Sequence, residues 1–399
     1  MHYMVVLLLV AAVFISYLDR SSISVAAIAM QGQFGWSQTQ KGLVLSSFFV
    51  GYMLLMLVSG VLANRYGGKI VLGCAVLWWS LMTLLTPPAA TMSLAALVIA
   101  RIALGAGEAA VIPASINMIG RWVPPLQRSR ATALLISAAP LSTAVSLPLT
   151  GWLVHVSGWP VPFYAFGVLG LLWVAIWFTR VDGGHDVRPT VADATPGIPW
   201  RRLLGLPSLW AIVVAIFCFS WSFYVLLAWL PSYLKSTFGV SIVNAGILSA
   251  GPWIASFLMA NLAGYLADRL LRAGRSATFV RKLMQTGALC VGGILLMQLP
   301  TAASVTAAMM YTCFAAGALA FSLAGYAPNA FDIAPRHADV IWGISNTVAT
   351  LPGIFGVYLT GWLVDRTGSF STPFYLAAGI SFFGAIFFLI FASGDRKID

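Results

Sequence analysis

Charge is what this chain has least of. Of 399 residues only 33 are charged, 22 basic and 11 acidic, while 60% are hydrophobic and 13% aromatic. A soluble domain carries about 25% charged residues, and so sparse a set cannot cover a folded surface in water. With a mean hydropathy of +0.91, the scarcity excludes a cytosolic enzyme, a secreted disulfide scaffold and a disordered chain. Cysteine is equally thin. Cys74, Cys218, Cys290 and Cys313 each lie within an apolar run without C-x-x-C or C-x-x-H spacing, which reads as small buried side chains rather than metal ligands or disulfides. The four histidines, His2, His155, His185 and His337, fall at the ends of runs or in loops. No nucleophile–base pair, phosphate-binding loop or metal cluster occurs within the runs, so neither a catalytic residue nor a resident cofactor is expected.

What the chain does have is long apolar runs. A hydrocarbon core about 30 Å thick needs about 20 helical residues to cross. Runs of that kind lie near 4–30, 41–63, 70–87, 92–118, 130–154, 161–180, 206–234, 242–267, 279–299, 303–331, 339–364 and 371–393. They are continuous rather than alternating, which excludes a barrel. The expected fold is therefore an all-α polytopic membrane protein of twelve transmembrane helices. The first run is too long for a cleaved signal and carries Asp19-Arg20 inside it.

A net charge of +11 would point to nucleic acid if the basic residues formed one stripe. They form short clusters between the runs instead. With both termini cytoplasmic, seventeen basic residues fall on the cytoplasmic side, and only Lys41, Lys235 and Arg366 on the other. That asymmetry is the positive-inside pattern, and it makes the lipid bilayer the partner and nucleic acid not. The remaining two, Arg20 and Arg101, lie inside runs.

The chain also repeats. Leu149-Thr150-Gly151-Trp152-Leu153-Val154 recurs as Leu359-Thr360-Gly361-Trp362-Leu363-Val364, and Pro162-Phe163-Tyr164 as Pro373-Phe374-Tyr375. Gly60–Arg65 (GVLANR) resembles Gly264–Arg269 (GYLADR). Two six-helix bundles of like orientation are expected, residues 1–180 and 206–399, joined by a cytoplasmic linker at 181–205. Parallel repeats with a site at their interface are a transporter architecture.

At Gly60, Asn64, Arg65, Gly67 and Lys69 the loop after the second run resembles the G-x-x-x-D-R-x-G-x-K/R signature of the major facilitator superfamily, with Asn64 in place of aspartate. Asp268-Arg269 keeps the pattern in the second half. The resemblance implies a cytoplasmic gate whose charges pair when that face closes. A narrower resemblance runs through Tyr17-Leu18-Asp19-Arg20-Ser21-Ser22, Phe34-Gly35-Trp36-Ser37, Ser46-Ser47-Phe48-Phe49, Arg101–Glu108 with Pro113, Asp332-Ile333-Ala334-Pro335, and Gly343-Ile344-Ser345-Asn346-Thr347. These segments resemble the anion:cation symporters, which include bacterial sugar-acid carriers and are related to sialin and the vesicular glutamate carriers. Symporters of that family use the matching charged positions for substrate and proton. Tyr52 and Asn346 match positions that hydrogen-bond substrate in similar carriers.

Asp19, Arg20, Arg101 and Glu108 thus sit in the membrane, where each costs at least about 2.5–3.5 kcal/mol and needs a partner or a wet cavity. At 1.5 Å per residue Asp19 and Arg101 both fall near mid-membrane, so they are expected to pair, with Arg101 as the switch. Two acids and two bases would also serve as plain locks between helices. The transport reading gives Arg20 a planar fork for a carboxylate. Glu108, beside Ala109, Ala110 and Val111, gains from burial a preference for the neutral acid and becomes, with Asp19, a proton carrier. Tyr224 on the seventh run and Ser322 and Ser345 on the tenth and eleventh are further candidates to line the cavity, although aromatics and serines at helical spacing commonly serve packing. Pro140, Pro148 and Pro352 are expected to bend the fifth and eleventh helices.

No charge falls between Leu206 and Leu234. The related organophosphate:phosphate exchangers place a second arginine there for a dianion, so its absence favours a ligand of one negative charge. The expected activity is proton-coupled symport of an organic monocarboxylate by alternating access, in a monomer of a cell's inner membrane. An uncoupled uniporter or exchanger and a non-transporting receptor of the same fold are the alternatives.

Overall fold

The computed structural model describes residues 2–182 and 199–398, and among these every regular element is helical. Eleven helices are long and apolar enough to cross a membrane, or twelve when one bent pair counts as a single span. In chain order they are α1 (Tyr3–Phe34), α2 (Gln38–Tyr66), α3 (Gly68–Met92), α4 (Leu94–Trp122), α5 (Pro125–Ser157), α6 (Pro160–Arg180), α7 (Pro207–Phe238), α8 (Ile242–Arg272), α9 (Ala277–Thr301), α10 (Val305–Ile333), α11 (Val340–Thr367) and α12 (Ser371–Phe391). Each expected run has its helix. Several ends are capped by serine: Ser37, Ser93, Ser276 and Ser304 each accept a backbone N–H from the first turn that follows. Most of the expected linker at 181–205, Arg188 included, lies outside the described residues. Near its end Trp200–Leu204 forms a short helix.

The chain divides into two compact units, Met1–Ala192 with Gly239–Ala250, and Asp193–Phe238 with Gly251–Asp399. The first turns of α8 belong with the first unit because they pack on α5. There Gly246 meets the Leu147 carbonyl and Gly151 lies against Ile242 and Val243 so closely that a Cβ would crowd the backbone. Inside the first unit α1 packs on α5 and α6, and α3 on α4 and α6. The second unit repeats these pairings with α7 on α11 and α12, and α9 on α10 and α12. The sequence repeats therefore correspond to repeated helix pairings.

Three helices depart from a plain rod. α2 bends by 49° between Gln38–Met56 and Val58–Tyr66. α4 is broken into Leu94–Glu108 and Val111–Trp122, and α10 into Val305–Ala320 and Ser322–Ile333. At the expected proline sites the helix is unbroken, with α5 continuing through Pro140 and Pro148 and α11 through Pro352. In α4 the cause is Pro113, which has no N–H to offer the carbonyl four residues earlier. That carbonyl, of Ala109, accepts instead from the Ser59 hydroxyl of α2 at 3.1 Å. Ser59 also turns back to the Met56 carbonyl at 2.8 Å, a bond of the kind that bends helices, where α2 bends. In α10 Pro328 frees the Ala324 carbonyl in the same way, and Arg281 of α9 donates to it at 3.4 Å.

α2 and α4 approach backbone to backbone in the first unit. A Cβ on Gly51 would overlap the Ile102 carbonyl, and one on Gly105 the Phe48 carbonyl. Only hydrogen fits at either place. Gly105→Ala is therefore expected to lower the thermal midpoint of the purified protein, at a cost of about 1–3 kcal/mol for overpacking. Gly264→Ala on α8, where an added Cβ meets nothing within 4 Å, should leave the midpoint unchanged or raise it. Melting curves of the two variants that coincide would refute the close packing of α2 on α4.

Candidate functional site

The centre of the first unit is an ion pair. Arg20 of α1 reaches Glu108 of α4, with Nη2 3.0 Å and Nε 3.3 Å from Oε2. Ser16, four residues before Arg20 and so on the same helix face, donates to that oxygen at 2.8 Å. Glu108 is the chain's only glutamate and is fully buried, and its Oε1 accepts no hydrogen bond. It ends the first segment of α4, so the break caused by Pro113 begins at the carboxylate itself.

Three aromatic rings surround the guanidinium. The Arg20 Cζ lies 4.6 Å from the centre of the Tyr17 ring, 4.7 Å from Phe48 and 4.7 Å from Tyr52. A cation over an aromatic face gains about 0.5–2 kcal/mol, more when desolvated. Arg20 is 7% exposed, so the cage replaces much of the water it has lost. Phe48 also lies under Arg101, 5.5 Å from its Cζ. One ring thus serves both intramembrane arginines, and the α2–α4 glycine contact holds it in place.

The expected pair of Asp19 with Arg101 is not formed. Both Asp19 oxygens and the Arg101 Nε and Nη1 are buried without hydrogen-bond partners, and the two residues make no ion pair within 4.0 Å. The Thr83 hydroxyl beside Asp19 donates to the Trp79 carbonyl at 2.9 Å instead. Arg101 lies two turns back along α4 from Glu108, yet its guanidinium shares the Phe48 ring with Arg20 and interacts electrostatically with both Glu108 and Asp19 without a hydrogen bond to either. Asp19, one residue from Arg20, is held near the Glu108 level. The four ionisable groups come together in one unit, but the acid that takes an arginine is Glu108 and the arginine taken is Arg20.

The remaining candidates for substrate lie in the second unit. Ser322, the first residue after the α10 break, and Ser345 of α11 are buried with hydroxyls that lack a partner. Asn346 is half-buried on α11, and Tyr224 is half-buried on α7 with its ring edge-on to Phe223 at 5.3 Å. Trp229 is wholly buried and donates its indole N–H to the Val357 carbonyl at 3.0 Å, a packing role. Sequence reasoning missed Ser16, Tyr17 and Phe48. Their signal was present, since Ser16 and Tyr17 precede Arg20 by four and three residues and Phe48 precedes Tyr52 by four, each one helical turn.

The expected gate residues are not paired with one another. Asn64 accepts from the Asn117 side chain at 2.8 Å, Arg65 lies over the Tyr66 ring at 5.4 Å, and the Lys69 carbonyl accepts from Trp177 at 3.0 Å. An added Cβ at Gly60 would meet nothing within 4 Å, and Asp268 and Arg269 are exposed. None of Arg65, Lys69, Asp268 and Arg269 makes an ion pair within 4.0 Å among the described residues. The ordered pair at a helix end is one the sequence reading passed over, Arg281 Nε to Asp332 Oδ2 at 2.7 Å between α9 and α10.

Comparison with known proteins gives this arrangement its context. Residues 9–357 match the Major Facilitator Superfamily. The chain is 36% identical to the sodium-dependent phosphate transport protein 1 of Arabidopsis thaliana chloroplasts, over 100% of this chain and 80% of that one. It is 34% identical to the chloroplastic ascorbate transporter of the same plant, over 100% and 76%. Sialin of Ovis aries is 34% identical over 91% of this chain and 77% of its own. Among solved structures, a bacterial homolog of the human lysosomal transporter Spinster superposes with a TM-score of 0.78 at 18% identity, covering 98% of this chain and 96% of that one. The chain belongs to the major facilitator superfamily, a family of membrane transporters rather than enzymes, and within it to the anion:cation symporters.

Proposed function

We propose that this transporter carries an organic monocarboxylate together with protons, by alternating access of its two halves. The observation that carries the proposal is the caged Arg20–Glu108 pair with Asp19 and Arg101 beside it. Two acids and two bases are neutral when all are ionised. A monoanion entering that set leaves one net negative charge in a medium that penalises charge heavily. One proton on Glu108 restores neutrality, and it also removes the charge that holds Arg20. The guanidinium then offers its fork to the incoming carboxylate, while Tyr17, Phe48 and Tyr52 supply an apolar wall for the rest of the ligand. After release of anion and proton the pair re-forms and occupies Arg20 for the return. Asp19 is the second proton site, and Arg101 the charge it balances. Tyr224, Ser322, Ser345 and Asn346 supply neutral hydrogen-bonding groups for the ligand.

Protons are the coupling ion, and no cofactor takes part. The seventeen-to-three charge asymmetry supports both termini on the cytoplasmic side, and we place the protein as a monomer in a cell's inner membrane. A relative named as an ascorbate transporter supports an organic anion. A second reading, sodium-coupled phosphate transport, takes its support from another relative's name. Against it stands the first part of α7, which has no charge between Pro207 and Leu234 to hold a dianion.

Uptake into reconstituted vesicles separates these readings, with labelled ascorbate, gluconate, lactate and phosphate as probes under imposed pH or sodium gradients. A pH gradient should drive accumulation of at least one carboxylate. Glu108→Gln should abolish that accumulation yet keep exchange, because the amide is neutral whatever the pH. Arg20→Ala should weaken binding about 10- to 150-fold, the worth of charge-assisted hydrogen bonds. Arg20→Gln combined with Glu108→Gln keeps the buried set neutral and guards against misfolding. Gradient-independent flux would establish the uniporter or exchanger, binding without flux the receptor, and phosphate uptake driven only by sodium the second reading.

A further inference from the structure

The second unit carries a cavity away from the charged core. It has a volume of about 620 Å³ and lies among α8, α9 and α10. On α8 its lining residues Leu266, Leu270 and Ala273 fall at helical spacing on one face, and Arg269 stands among them. Leu283 and Val291 of α9 form the facing wall and are each 48% exposed, so the cavity is an open groove on the surface of the protein. Between them an added Cβ at Gly287 would meet nothing within 4 Å. From Leu283 to Val291 the wall rises about 12 Å, close to the 15 Å or so of hydrocarbon in one leaflet.

Charge is confined to one end. Arg269 is the only charged residue in the lining, and it makes no hydrogen bond or ion pair among the described residues. Its neighbour Asp268 lies 100° round the helix and does not line the groove. Arg272 and Arg275 follow at the same helix end, and Lys282 stands at the start of α9. An apolar channel in a membrane protein that ends in unneutralised arginine matches a molecule with an anionic head and a hydrocarbon chain.

We propose that this groove binds one chain of an anionic glycerophospholipid from the leaflet on the side of the basic loops, with its phosphate held by Arg269. The groove itself does not choose among lipids, since an acyl chain gains little on passing from bilayer to apolar protein. Selection comes from the arginine. A juxtamembrane arginine favours an anionic headgroup by about fivefold.

Native mass spectrometry of the full chain in detergent tests this, with dioleoyl phosphatidylglycerol, dioleoyl phosphatidylcholine and glycerol 3-phosphate as probes. Wild type should retain one phosphatidylglycerol about fivefold more than phosphatidylcholine, and no glycerol 3-phosphate. Arg269→Gln should equalise the two lipids, Arg269→Lys should keep the preference, and Gly287→Leu should reduce retention of both by filling the open space. Equal retention of both lipids by wild type would overturn the proposal, as would an undiminished preference in Arg269→Gln. Retention of glycerol 3-phosphate as strong as that of the lipid would also overturn it, by showing a site for free phosphate.

Discussion

The transporter is organised around a buried salt bridge. Burying a carboxylate and a guanidinium costs several kcal/mol per ion, and the attraction between them offsets this only where the geometry is good and the remaining hydrogen-bond capacity is filled. Here the filling is partial. Glu108 Oε2 receives three donors and Oε1 none, and the neighbouring Asp19 carboxylate receives none. Such an arrangement is poor as a permanent clasp and well suited to one that opens. A proton on either acid removes a charge the site holds at a cost, and an anion can take its place opposite arginine.

Much of the first unit serves to hold that pair. The Gly51 and Gly105 contact brings α2 against α4 and sets Phe48 and Tyr52 against the guanidinium. Pro113 breaks α4 just past Glu108, and Ser59 caps the carbonyl it frees. The second unit has its own break, at Phe321 of α10, with no acid beside it, and Arg281 of α9 donates to the Ala324 carbonyl that Pro328 frees one turn further on. The two units share helix pairings and differ in the side chains they bury. All four intramembrane charges belong to the first unit, and the second offers hydroxyls and an amide.

The sequence made the helices and the four charges legible, because each rests on a pattern that survives imprecision. An apolar run remains a span if its limits move by a turn. Partner choice does not survive it. Arg20 and Asp19 are adjacent in sequence, and which of them faces α4 at the level of Glu108 depends on register and rotation that hydropathy does not fix. The α4 break was within reach of the sequence through Pro113, and the cap from Ser59 was not, since it depends on α2 crossing at that height. The gate motif illustrates the converse. Its pattern is present in both halves, yet Asn64 lacks the charge to draw a partner across the face and bonds to Asn117 within its own unit.

Because Glu108 is the sole glutamate among 399 residues, cell-free synthesis with carbon-13 glutamate labels this one carboxyl group. Isotope-edited infrared difference spectra then report its protonation directly. In the ligand-free protein at neutral pH the carboxylate should be ionised, and on addition of the transported anion a protonated acid band should appear. A labelled carboxyl group that keeps the same protonation state with and without the anion would contradict proton coupling through Glu108.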